Sequence, residues 1–338
     1  MNRSSLALGL RGSTLGFLVT LFLLTACSGP WTLPVESEEG GILLAAWDDG
    51  TDLIAVGGQL DNTDALMLRR EAGTWCKEEG VADRALWWIH GSRPGRWFGV
   101  GASGLILHHE DGSTVDESVN TTGTLFGVWD EGDRVWAVGG NVQGGGGEIW
   151  LRENGVWLLF AEDLPGVVFK VWEDWFVGDG VAWTLDESDE LQPRFPPANE
   201  KLLTVRGRAS DDVWAVGGVV SSVLLHYNGS TWESVPVDPL CTSQPLNGIW
   251  TAPGEDVWIA GMSGAMARFD GEEWHCGDLV ADNALRDLSH AHFHAVWPGE
   301  NGEMLWFGGN FFARGGNVFT LGRHSETPDS LNVRECSD

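Results

Sequence analysis

A short phrase ending in glycine recurs seven times along 338 residues, and every copy carries the same train of brief apolar runs and tight turns. These two observations predict an all-β fold: a seven-bladed β-propeller of four-stranded antiparallel blades. A period near ~40–45 residues in strand-rich units marks a propeller blade, because one such sheet cannot bury both faces and must stack on its neighbours around an axis. A third observation agrees. The chain holds 20 tryptophans and 43% hydrophobic residues, enough core for a large all-β domain despite a net charge of −29.

Aligned on the closing glycine, the copies are "LIAVG" at Gly57, "WFGVG" at Gly101, "VWAVG" at Gly139, "WFVG" at Gly178, "VWAVG" at Gly217, "VWIAG" at Gly261 and "LWFGG" at Gly309. The sixth copy shows the grammar best. "LNGIW" is a first strand, "TAPGE" a turn, "DVWIAG" a second strand and "GAMARFD" a third; Asp270–Gly271 then turns into "EEWHC". The fifth repeats the last part as "LLHYNGSTWESV". Asn-Gly or Asp-Gly between apolar runs signals a hairpin, since a type I′ turn needs positive φ at both central residues. Asn154–Gly155 and Ala72–Gly73 are related turns, each shortly before a tryptophan. Recurring Val and Trp then fill the layers between sheets, and glycine ends the second strand where a side chain would crowd the chain.

A ring must close. "WTLPVE" at 31–36 reads like the fourth strand "TWESVPV", yet no blade precedes it. It is expected to complete the last blade beside "NVFTLGRH", removing an exposed edge. "SLNVREC" at 330–336 competes for that place. Cysteines fit the same frame. In an up-down blade the start of the first strand and the end of the fourth share a face, so Cys241 and Cys276 are expected to pair. Cys76 and Cys336 remain as a second disulfide.

The N-terminus sets the address. Arg3 and Arg11, an apolar run from Leu15 to Leu24 and small residues before Cys27 describe a secretory signal over residues 1–26. "LTAC" resembles the lipobox of bacterial lipoproteins, which implies cleavage before Cys27 and acylation of that cysteine. Ser28 beside it implies the outer membrane by the same resemblance. An uncleaved signal anchor is the other reading, although the run is short for a span of ~20 residues. Residues 27–30 would be a short linker and 31–338 a single propeller domain. The membrane would be met through the lipid only. The acidic surface repels nucleic acid and anionic headgroups, so neither is an expected partner.

The repeats resemble those of exported lipoproteins of myxobacteria and related delta-proteobacteria, with the pattern "DDVWAVG…LLHYNG…W" matched by Asp211–Trp232. They are distantly similar to WD40, Kelch and sialidase-type blades. The WD dipeptide is missing, and "DGEEW" departs from the sialidase Asp-box because Gly directly follows Asp. The resemblance implies a fold and an exported habit, and no reaction.

Candidate chemistry is sparse. "HAHFH" places His290, His292 and His294 at alternate positions leading into the last blade, where one strand face could present three imidazoles to zinc, copper or nickel. A straight strand splays such ligands too far apart for one tetrahedral ion, so a pair plus an outside carboxylate is easier. Acidic turns at Asp48–Asp49–Asp52, Asp130–Glu131–Asp133 and Asp186–Glu190 suit calcium, or serve simply as turn formers. No GxSxG, SxxK or HExxH is present, and no catalytic residue is assigned. The expected function is a binding or scaffolding surface for a protein, peptide or glycan of the cell envelope. The alternative is a polysaccharide hydrolase or lyase with its site at the channel mouth.

Overall fold

The computed structural model describes residues 31–37, 41–48, 50–59, 64–71, 74–277, 292–309, 319–324 and 333–335. Cys27, Asp49, His290 and Cys336, each singled out above, lie outside the described residues.

The described strands form seven sheets. Each is led by an inner strand: Ile42–Asp48, Leu86–Arg93, Thr124–Asp130, Val168–Trp172, Leu202–Ala209, Leu246–Trp250 and His292–Pro298. Each inner strand packs on the inner strand of the next sheet, and the last packs on the first. The result is a propeller whose inner strands surround a central channel. The blades are numbered here by their inner strands, in chain order.

Inter-blade layers hold the core. Trp136 of blade 3 is fully buried and meets Phe176 of blade 4 edge to face, with ring centroids 5.4 Å apart. Trp306 of blade 7 donates its indole N–H to the Ile259 carbonyl of blade 6 at 2.8 Å. Polar staples run between blades as well. Asp130 of blade 3 accepts Arg96 Nε and Nη2 from blade 2 at 3.0 and 3.1 Å, and also the Ser92 amide and hydroxyl. Arg70 of blade 1 bonds buried Glu303 of blade 7.

The repeated glycine has a specific cause. A Cβ on Gly57 would lie 1.7 Å from the Ile42 carbonyl oxygen, and one on Gly139 would lie 2.1 Å from that of Thr124. The second strand thus runs too close to the start of the inner strand for any side chain. In the last blade that partner is Gly308, opposite Phe293 as Gly57 is opposite Leu43. The sequence alignment on Gly309 is therefore one residue late.

Turn chemistry differs in part from expectation. Asn154 and Gly155 both have positive φ, 52° and 79°, as a type I′ turn requires. At Asn228–Gly229 and Asp270–Gly271 only the glycine does. There the Asn or Asp side chain stands at the turn's entry and accepts two amide protons: Ser230 and Thr231 for Asn228, Glu272 and Glu273 for Asp270.

Ring closure uses both termini. Trp31–Ser37 pairs antiparallel with Phe319–His324 as the outer strand of blade 7. Val333–Glu335 does not compete for that edge. It adds a fifth, parallel strand to blade 1, with Arg334 opposite Cys76. Cys241 and Cys276 form a disulfide with Cα atoms 4.7 Å apart. Cys76 is disulfide-bonded too.

Candidate functional site

Every inner strand opens with a register shift against its second strand, at the same place in all seven sheets. The residues at these β-bulges are Leu44, Trp87, Phe126, Phe169, Leu203, Asn247 and His294. A bulge leaves one residue out of the ladder and re-aims its side chain. All seven line one pocket of about 500 Å³ at the mouth of the channel. Five are apolar. Phe126 contacts both aromatic neighbours edge to face, with centroids 5.0 Å from Trp87 and 5.3 Å from Phe169.

Lys170 stands inside this ring. Its Nζ donates to the Phe126 carbonyl at 2.5 Å and lies 4.0 Å from the centre of the Trp88 ring. Burial pushes its pKa down to about 7. His294 at the rim is pushed down to about 3, chiefly by burial and then by His292 and Lys170, so the imidazole is neutral at physiological pH. The rim is locked by short bonds: Thr204 donates its hydroxyl to the Asn247 carbonyl at 2.5 Å, and the Asn247 amide donates to the Phe293 carbonyl at 2.9 Å.

A second pocket of about 450 Å³ lies further along the channel, lined by Trp88, Trp129, Trp172, Trp297, His90 and Arg206 among others. Arg206 is stacked 4.8 Å from the Trp297 ring centre, and burial lowers its pKa to about 10. His90 stacks on Trp129 at 3.9 Å and accepts the Asp130 amide proton. Burial, then Arg206, hold it well below its ordinary value. Five tryptophans therefore line the channel or its mouth, although the repeat pattern alone reads them all as inter-blade filler.

The opposite rim is acidic. Glu131, Glu173 and Asp174 follow the inner strands of blades 3 and 4. Burial raises all three, and Asp174 raises both glutamates further.

His292 and His294 are not presented as one face. The bulge between Phe293 and Ala295 breaks the alternation on which three aligned imidazoles depend. His292 accepts the Ser263 amide proton at 3.2 Å, while His294 lines the mouth. The acidic turns are engaged by protein donors. Asp48 accepts the Gly50 amide, Asp130 holds Arg96, and Asp186 accepts the Ser188 and Glu190 amides. Among the described residues no group of three or more His, Cys, Asp and Glu side chains is placed to hold a metal ion.

Sequence reasoning missed the ring of bulge residues. Its signal was present: two adjacent apolar residues open most inner strands, as in Leu43–Leu44, Leu125–Phe126 and Leu202–Leu203. Strict alternation would bury only one of each pair.

No protein-family model matches the chain, and no curated protein sequence matches it. Solved structures match it by shape. A structure of YCF48 bound to D1 peptide superposes with a TM-score of 0.64 at 14% identity, covering 88% of this chain and 98% of that one. YCF48 from Cyanidioschyzon merolae gives 0.60 at 16% identity, covering 88% of this chain and 100% of that one. The WD40 β-propeller domain of Doa1 gives 0.59 at 11% identity, covering 86% and 96%. At these identities the likeness is one of fold.

Proposed function

We propose that this chain is a seven-bladed propeller of the cell envelope that binds a protein or peptide at the apolar mouth of its channel. The observation that carries the reading is the ring of bulge residues. Five apolar side chains converge on one opening, and aromatic-rich concave patches of this kind are what partners seat upon. The glycosidase reading draws no such support, because among the described residues no carboxylate lines the mouth, where that chemistry needs a pair. A solved propeller of similar shape holds a peptide.

For a chain anchored through its N-terminus, the strand register sets the orientation of the ring. Trp31 pairs with His324, His324 with Met304, and Met304 with Pro298 at the far end of the inner strand. Ser37 leads by the same path through Phe319 and Gly309 to His292, beside the mouth. A chain tethered by lipid on Cys27, as its lipobox-like "LTAC" suggests, would enter the propeller at the acidic rim and turn the apolar mouth away from the membrane.

The test is site-specific cross-linking in the membrane-held protein. A photoreactive residue at Leu203 captures an envelope polypeptide, whereas one at Val115, on an exposed outer edge, does not. Equal capture at both positions, or capture at neither, contradicts the reading.

A further inference from the structure

The chain carries 49 acidic residues against 20 Lys and Arg, yet among the described residues the linings of both channel pockets contain no Asp or Glu. They do contain Lys170 and Arg206. Among the described residues neither cation forms an ion pair. Lys170 makes one hydrogen bond, to the Phe126 carbonyl, so an ammonium with three donors has capacity left over. Burying an unpaired cation is costly, and such groups are ordinarily paired or bind something. For Lys170 no partner charge stands opposite among the described residues, and the space in front of it is an aromatic-walled pocket.

We propose that the mouth binds a small organic carboxylate with an aromatic or branched aliphatic body. The body lies among Trp87, Phe126, Phe169 and Leu203, and the carboxylate meets the Lys170 ammonium. The Trp88 face beneath Lys170 steers the ammonium, and Arg206 further along the channel adds positive potential. Charge complementarity selects the ligand: an acidic protein surface excludes anions generally, while this one opening is positive and apolar. Most ligand sites combine apolar walls with a few placed polar groups, and the mouth has that composition. The assignment uses the same mouth as the polypeptide reading, but it rests on the buried cation and the pocket walls and not on a polypeptide partner.

Calorimetric titration of the full chain with phenylacetate and with phenylacetamide tests this. Phenylacetate binds at least tenfold more tightly than the amide. Lys170→Met removes at least tenfold of the phenylacetate affinity, Lys170→Arg restores part of it, and Arg93→Met at the opposite rim leaves it unchanged. Circular dichroism melts confirm that each variant is folded. Three results would overturn the proposal: no binding of phenylacetate, an amide that binds as well as the acid, or full affinity in Lys170→Met. Binding of only a peptide that ends in phenylalanine would also overturn it, while leaving the peptide-binding reading in place.

Discussion

Lys170 costs the fold stability at neutral pH, and the cost has a sign that can be measured. Its folded pKa is about 7, below the ordinary 10.5. Between those values the unfolded chain binds the proton and the folded chain does not, so stability rises with pH across that window and falls as pH drops towards 7. The slope is on the order of 1.4 kcal/mol per pH unit. Among the described residues, His294 is the titratable group set beside the ammonium, and it supplies no negative charge to offset it. Lys170→Met therefore melts higher than wild type near pH 7, and the gap narrows as pH approaches 10; a lower melting temperature at neutral pH would contradict this. His294 behaves alike further down the scale. Its folded pKa of about 3 lies below the ordinary 6.5, so stability is lost as pH falls between them. His294→Asn flattens the melting profile over that acid window. None of this was legible in the sequence. Lys170 sits in "FKVW" with no motif around it, and only the closed ring shows the largely apolar walls, without a carboxylate among the described residues, that surround it.

At the scale of elements, the sequence reading succeeded where the constraint was local or repeated. Four-strand grammar, the pairing of Trp31–Ser37 with the last blade and the Cys241–Cys276 disulfide all follow from how an up-down sheet places its ends. It erred where one residue of register decides. The inner-strand bulges re-aim seven side chains, and the same shift gives His292 and His294 different surroundings. Two outcomes belong at this scale. The Cys241–Cys276 bond spans 35 residues, for which the loop-entropy account gives about 4 kcal/mol. Cys276→Ser lowers the unfolding free energy by up to that amount, read by urea denaturation. Deleting Trp31–Ser37 uncovers the edge of Phe319–His324, and unpaired edges recruit other chains. The truncated protein melts lower and aggregates, as light scattering would show; an unchanged monomer would contradict the latch.

For the molecule as a whole, the closed circle of sheets separates two ends of unlike character. One is an apolar mouth with Lys170 inside it, and the other is a rim bearing Glu131, Glu173 and Asp174. The repeat made the circle legible, because every copy needs a neighbour on each side. The difference between the ends was not legible, since it arises from which copy contributes which residue at one bulged position. A crystal grown with iodophenylacetate measures that difference most directly. The account predicts an anomalous iodine peak inside the ring formed by Trp87, Phe126, Phe169 and Leu203, with the carboxylate at Lys170. Iodine bound only at the acidic rim, or a ring free of it at saturating ligand, would contradict the account.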